Sequence, residues 1–200
     1  MKSLAATQYP IHELIQSRWS PQAFSEQIIE TEMLNSILEA ARWAPSSFNE
    51  QPWCFIVATK QNPPEFDHLL SCLVEANQAW AKHASVLMIS VAKLYFDRNG
   101  KDNRHAFHDV GAAASNLALQ ATALGLFAHQ MAGFDREKTR ETFSIPEGYE
   151  PVAVIALGYL GEPQTLPEKL RDAELAPRTR RALETFTITG KWGQPYSSQL

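Results

Sequence analysis

Three clusters of residues have the types and spacing to hold a small charged ligand. Arg18-Trp19-Ser20-Pro21-Gln22 sets a guanidinium two positions ahead of a hydroxyl. Together these groups can grip one phosphate by charge and hydrogen bond; the plainer reading is a surface arginine beside a Ser-Pro turn. Pro45-Ser46-Ser47-Phe48-Asn49-Glu50-Gln51-Pro52-Trp53 interleaves rigid prolines with hydroxyl and amide groups. Proline fixes the backbone while Ser, Asn and Gln supply donors and acceptors. That suits the edge of a flat heteroaromatic ligand, although a capped turn uses the same residues. Arg178-Thr179-Arg180 alternates two guanidinium groups. On an extended chain they point the same way, because the side-chain period is two, and would make a dianion site. A solvated charge run is the ordinary alternative.

Other chemistries are missing. The sequence has no G-x-G-x-x-G dinucleotide fingerprint, no G-x-x-x-x-G-K-[ST] phosphate loop, no H-E-x-x-H and no G-x-S-x-G. His105 and His108, followed by Asp109, read as a solvated helix start with the acid near the positive end of the dipole, so no metal is expected. Cys54 lies in the apolar run Trp53–Ala58, where a core thiol is the better reading than a nucleophile. With Cys72 it makes two cysteines in 200 residues, too few for a disulfide scaffold or a zinc ribbon. The balance of 18 basic against 22 acidic residues, net −4, leaves no basic excess to displace counterions, so nucleic acid is not an expected partner. Hydrophobic residues at 44% and charged residues at 20% are ordinary for a folded domain. The apolar runs, Val86–Ile89 and Val152–Leu157 among them, fall far short of the ~20 residues a membrane span needs, and the first ten residues hold no signal-peptide core. The expectation is a cytoplasmic protein with free thiols and no membrane partner.

The elements that must position these clusters follow from periodicity. Leu34, Ile37, Leu38 and Ala41 lie at helical spacing over Thr31–Arg42. Trp53–Ala58 has strand character. Pro63-Pro64 opens a second helical stripe, Phe66, Leu69, Leu70 and Leu73, extending toward Trp80. Ser85–Val91 suits a buried strand, and so does Pro151–Gly158. The longest helical pattern runs from about His105 to Leu124 and is rich in Gly and Ala, which lets a neighbouring helix come close; Gly125 ends it. A short segment, Leu126–Met131, leads to Gly133, and Asp135 caps a helix at Arg136–Thr142. Beyond Gly161 the prolines and charges read as an extended arm over 162–193. Thr185–Thr189 suits an added strand, on this subunit or another. The fold class is α+β, in one domain over residues 11–193 with a tail at 1–10.

With these motifs assembled, the chain resembles the FMN-dependent nitroreductase family. Arg18-x-Ser20, Pro45-Ser46-Ser47-x-Asn49-x-Gln51-Pro52-Trp53, Asp109-x-Gly111 with Asn116, and Arg178-x-Arg180 match that family's pattern in order. The resemblance implies an α/β/α sandwich around a mostly antiparallel sheet, an intertwined homodimer, and FMN at the subunit interface. It places Arg18, Ser20, Arg178 and Arg180 on the FMN phosphate and ribityl chain, with Trp19 and Gln22 beside them. Pro45, Ser46, Ser47 and Asn49 would come from the opposite subunit along the isoalloxazine ring. Asn77 would bond the ring's pyrimidine side. Gln130, Met131, Ala132 and Gly133 would bring a backbone N–H near flavin N5, where a glycine allows close approach.

The activity implied is ping-pong transfer from NADH or NADPH to a small flat acceptor: a nitroaromatic, a quinone or an activated alkene. No catalytic side chain is assigned, since the cofactor carries the chemistry. The sequence departs from the family at Gln22 and Trp80, where many members place cations facing the flavin N1–C2=O edge. Neutral residues there imply a lower flavin reduction potential. The stretch Leu94–Arg104 is short, which implies a more open site, or one lined by Tyr95 and Phe96. Substrate dehydrogenation, reductive dehalogenation and flavin fragmentation remain open on the same scaffold, as does a dimeric binding protein without redox function. The long arm and the small-faced helix give the homodimer a physical motive, because an arm with no core of its own must be buried somewhere.

Overall fold

The computed structural model describes residues 4–196. Its centre is a four-stranded antiparallel sheet in the order β1-β2-β4-β3. The strands are β1 (Trp53–Thr59), β2 (Val86–Lys93), β3 (Phe127–Met131) and β4 (Tyr149–Gly158). Helices are α1 (Glu13–Ser17), α2 (Thr31–Arg42), α3 (Pro63–Ser71), α4 (Glu75–Ala81), α5 (Ala106–Ala123), α6 (Arg136–Phe143) and α7 (Glu168–Leu175).

The sheet is covered on both faces, which explains why its central strands look uniformly apolar. Successive side chains alternate faces. On β2, Leu87, Ile89 and Val91 join a core with Phe66 and Leu69 of α3 and Trp80 of α4. Val86 and Met88 join the opposite core with Ile37 and Ala41 of α2 and Ala113, Ala114 and Leu117 of α5. On β4, Val154 and Ala156 face the first core, and Ile155 and Leu157 the second. Each fully buried Leu or Ile contributes roughly 1.5–3 kcal/mol. The small side chains of α5 let α2 come close enough for two side-chain bonds: Asn116 Nδ2 donates to Ala40 O at 3.2 Å, and Gln120 Nε2 donates to Ser36 Oγ at 3.0 Å. Gly125, at φ 77°, ends α5, and Leu126 N returns to Ala121 O at 2.8 Å. Asp135 caps α6 by accepting from Lys138 N at 3.0 Å.

The structure corrects the sequence reading in five places. The stripe from Pro63 toward Trp80 is two helices, broken at Cys72-Leu73-Val74, where Val74 N instead donates to Gly133 O at 3.1 Å. Leu126–Met131 contains an edge strand, β3, paired to β4 from Phe127↔Gly158 to Met131↔Val154. The segment beyond Gly161 is not simply extended: it carries α7, whose Glu174 is buried, and Leu166 joins the core. Thr185–Thr189 forms no strand; a 3-10 turn covers Leu183–Thr185, and Ile188 makes a single bridge to Pro195. Cys54 is exposed rather than a core thiol, because β1 is a sheet edge, whereas Cys72 is buried. No helix among the described residues is long and apolar enough to cross a membrane.

Candidate functional site

Arg18 follows the short helix α1 and begins a segment laid against the end of β4. Phe24 bridges to Leu160, Ser25 N donates to Tyr159 O at 3.0 Å, and Gly161 N donates to Ala23 O at 2.9 Å. A Cβ on Gly161 would come within 2.5 Å of Phe24 O, so only glycine allows this approach. Arg18 Nη1 donates to Ser20 Oγ at 3.4 Å. Trp19 is buried, its ring edge-on to Phe127 at 6.0 Å; it anchors the segment from inside.

Residues from the far end of the chain meet this segment. Arg178 Nη1 donates to Arg18 O at 2.9 Å, and its Nη2 donates to Gln16 O at 2.7 Å. Arg18, Arg178 and Arg180 line one cavity of about 270 Å³ with Thr179, Ile11 and Ile15. Burial lowers the Arg18 pKa, and the neighbouring charges of Arg180 and Arg178 lower it further. Like charges held together in this way fit a multiply charged anion, whose arrival would offset their repulsion. Arg178 thus serves as a strut as well as a cation, while Arg180, exposed on the arm, donates Nη1 to Thr179 O at 2.8 Å.

The loop after α2 is held separately. Ser47 N donates to the buried Asp109 Oδ2 at 3.0 Å, and Gln51 N donates to Ser46 Oγ at 3.0 Å. Phe48, Asn49 and Gln51 all have positive φ, at 56°, 57° and 52°, a region costly for side chains of this kind. Phe48 stands 70% exposed, with the Arg98 guanidinium 3.8 Å from its ring centre and Phe96 edge-on at 5.9 Å. Pro45 and Asn49 are exposed, and Ser46 and Ser47 half-buried. None of these loop residues lines the cavity at Arg18 within the chain.

A third group gathers where α4 meets the end of β3. Asn77 Nδ2 donates to Gly133 O at 3.0 Å. A Cβ on Gly133 would lie 2.7 Å from that same Nδ2 and 3.0 Å from Val74 Cγ2. Met131 points into the core, while Gln130 and Ala132 are exposed. Sequence reasoning named Asn77 and Gly133 separately; the structure joins them. Trp80 departs from its expected place at an open flavin edge. It is fully buried, stacked on Phe24 at 6.2 Å and tilted over His129 at 4.7 Å. His129 Nδ1–H donates to Pro21 O at 2.8 Å, which fixes its tautomer, since a carbonyl can only accept. Burial lowers the His129 pKa.

Two residues escaped the sequence reading. Glu174 is buried and accepts from Gln22 N at 3.0 Å and Ala23 N at 3.3 Å. In sequence it is one acid among many in a charged stretch. Arg98 sits in the polar stretch after β2, with nothing to mark it before Phe48 and Phe96 are seen beneath it. Among the described residues no cluster of three His, Cys, Asp or Glu side chains could hold a metal ion.

Comparison with known proteins bears on the fold and the family. Residues 15–159 match the Nitroreductase family. A protein of Methanothermobacter thermautotrophicus, named as a candidate NADH dehydrogenase/NAD(P)H nitroreductase, is 32% identical over 156 residues, covering 75% of this chain and 77% of that protein. An uncharacterised 15.4 kDa protein of Mycolicibacterium smegmatis is 40% identical over 129 residues, covering 63% of this chain and 84% of its own length. A solved structure described as an oxidoreductase containing FMN superposes with a TM-score of 0.90 at 35% identity, covering 95% of this chain and 96% of that one. An FMN-dependent nitroreductase from Clostridium difficile R20291 is similar with a TM-score of 0.64 at 26% identity, covering 74% of this chain and 87% of that one. The order of the motifs, the sheet that carries them and these matches lead to one assignment: the chain belongs to the nitroreductase family of oxidoreductases.

Proposed function

We propose that this protein is an FMN-dependent oxidoreductase that takes hydride from NADH or NADPH and passes reducing equivalents to a small flat acceptor. Nitroaromatics, quinones and activated alkenes all suit that reaction. The observation that carries the reading is the convergence of Arg18, Arg178 and Arg180 on one cavity. A flavin phosphate is a dianion near neutral pH, and without a glycine-rich loop it needs side-chain cations. The donor set therefore fits FMN better than an uncharged flavin. The similarity to an FMN-containing oxidoreductase at 35% identity supports the same choice.

In this reading Arg18, Ser20 and Arg180 hold the phosphate, and Arg178 braces the backbone behind it. Asn77 and the Gln130–Gly133 segment would face the ring, with Gly133 letting Asn77 close against its carbonyl. Once bound, the flavin ring supplies hydride acceptance and donation at N5. The chain's own part is to orient the ring, keep one face open to each substrate in turn, and hold no competing acid or base against it. Pro45, Ser46, Ser47 and Asn49 would complete the site from a second copy in a homodimer. Exposed Trp43, Phe48, Phe186 and Trp192 support such a partner, and the free thiols Cys54 and Cys72 suit the cytoplasm. The test is direct. The purified protein should show a flavin spectrum, release FMN on denaturation, and bleach anaerobically with NADH or NADPH. A protein that stays colourless after FMN is added overturns the reading; a flavin that neither nucleotide bleaches overturns the hydride source.

A further inference from the structure

We infer that Glu174 is the positioning residue of the phosphate site: its buried carboxylate clamps the Arg18–Ala23 segment onto the arm that carries Arg178 and Arg180. The inference rests on the FMN reading above and names a device that reading does not require. Glu174 is 5% exposed. One carboxylate oxygen accepts from Gln22 N at 3.0 Å and the other from Ala23 N at 3.3 Å. A buried carboxylate is costly unless its oxygens are satisfied, and here two consecutive backbone N–H groups contribute to that.

Its location argues for a purpose beyond filling space. Glu174 sits in the last turn of α7, at the negative end of the helix dipole, where an acid is locally unfavourable. Four residues on, Arg178 bonds the carbonyls of Gln16 and Arg18. The arm therefore grips one short segment by both backbone polarities: a carboxylate takes its N–H groups, and a guanidinium takes its C=O groups. Arg18 is held at one grip, and Ser20 lies between the two. Their placement relative to Arg180 is set by the clamp rather than by α1, a single turn with no buried residue.

Charge alone and positioning make opposite predictions. A buried anion gripping the segment that carries Arg18 opposes the binding of a second anion there, so removing its charge should tighten phosphate binding if it acts only through its field. If it acts by positioning, the same change should loosen it. Glu174→Gln separates the two, because its amide nitrogen cannot accept from a backbone N–H. Apoprotein of the wild type and the variant would be titrated with FMN and with riboflavin, which lacks the phosphate, following flavin fluorescence. The expected result is a loss of FMN affinity of about tenfold, on the scale of one charge-assisted hydrogen bond, with riboflavin affinity unchanged. Tighter FMN binding, or equal losses for both flavins, would overturn the inference. Should the variant not fold, hydrogen exchange on the wild type decides the matter. The Gln22 and Ala23 amides should gain protection with FMN over riboflavin, and equal protection would overturn it. A wild type that binds FMN and riboflavin equally would instead sink the phosphate reading itself.

Discussion

At Gly133 a single methyl group decides how closely α4 can pack against the end of β3. The Cβ of an alanine would lie 2.7 Å from Asn77 Nδ2, the group that donates to Gly133 O. Asn77 would have to turn away and lose that bond. Gly133→Ala should cost about 1–3 kcal/mol, the usual penalty for overpacking, and weaken flavin binding; urea melts and FMN titration measure both. His129 gives a pH-dependent counterpart. Burial disfavours its imidazolium, so the folded pKa lies below the ordinary value while the unfolded one does not. The unfolded chain then binds more protons as the medium acidifies. Stability from this residue is present above the unfolded value, about 6.5, and is lost as pH falls through the lowered folded value. His129→Asn keeps a donor for Pro21 O but does not titrate. Its melting temperature should vary less with pH across that window than the wild type's. At this scale Gly133 and Asn77 were named through the family resemblance, whereas their bond to each other had no sign in the sequence. Glu174 was not: only its partners distinguish it from any other surface acid.

At the scale of elements, the Ser46–Gln51 loop holds three side chains in the left-handed region, each costing of the order of 1 kcal/mol. Such a conformation persists only if its surroundings enforce it. Asp109 of α5 does so through Ser47 N, Ser46 through Gln51 N, and Arg98 by covering the Phe48 ring. Asp109→Ala should lose about 1–3 kcal/mol and speed proteolysis within the loop, while Asp109→Asn, which keeps an acceptor, should lose less. The sequence marked this loop as rigid and polar, but no residue pattern announces positive φ at a phenylalanine. Helix α7 escaped for another reason. The prolines at 163, 167 and 177 suggested an extended arm, yet Pro167 stands at the helix's N-cap, and the proline at 177 lies just past its end. Leu170 and Glu174, one turn apart, face inward; an amphipathic face made of one leucine and one acid carries almost no hydrophobic signal. The break between α3 and α4 was hidden likewise, because Leu73 continues the apolar stripe while its backbone bridges to Phe134.

Across the whole molecule, a double-faced sheet explains most of what was readable. Strands buried on both sides need apolar residues at every position, so β2 and β4 stood out, while β3, short and at an edge, did not. What one chain leaves open is equally informative. Trp43, Phe48 and Trp192 are 73%, 70% and 94% exposed, and the proposed homodimer would cover such aromatics. Sedimentation equilibrium should find a dimer at micromolar concentration. A flavin-loaded monomer would remove the need for a second copy at the site.

The bond from Arg178 to the Arg18 carbonyl spans 160 positions. The pocket proposed for the ligand therefore cannot form until two segments this far apart in sequence have closed on each other, so capture would follow their docking. Occupancy of the proposed site would then clasp the Gln16–Arg18 and Arg178 segments together. At a hundredfold excess over its dissociation constant, a ligand binding only the native form adds about 2.7 kcal/mol, and that tightening should be felt first where these two segments meet.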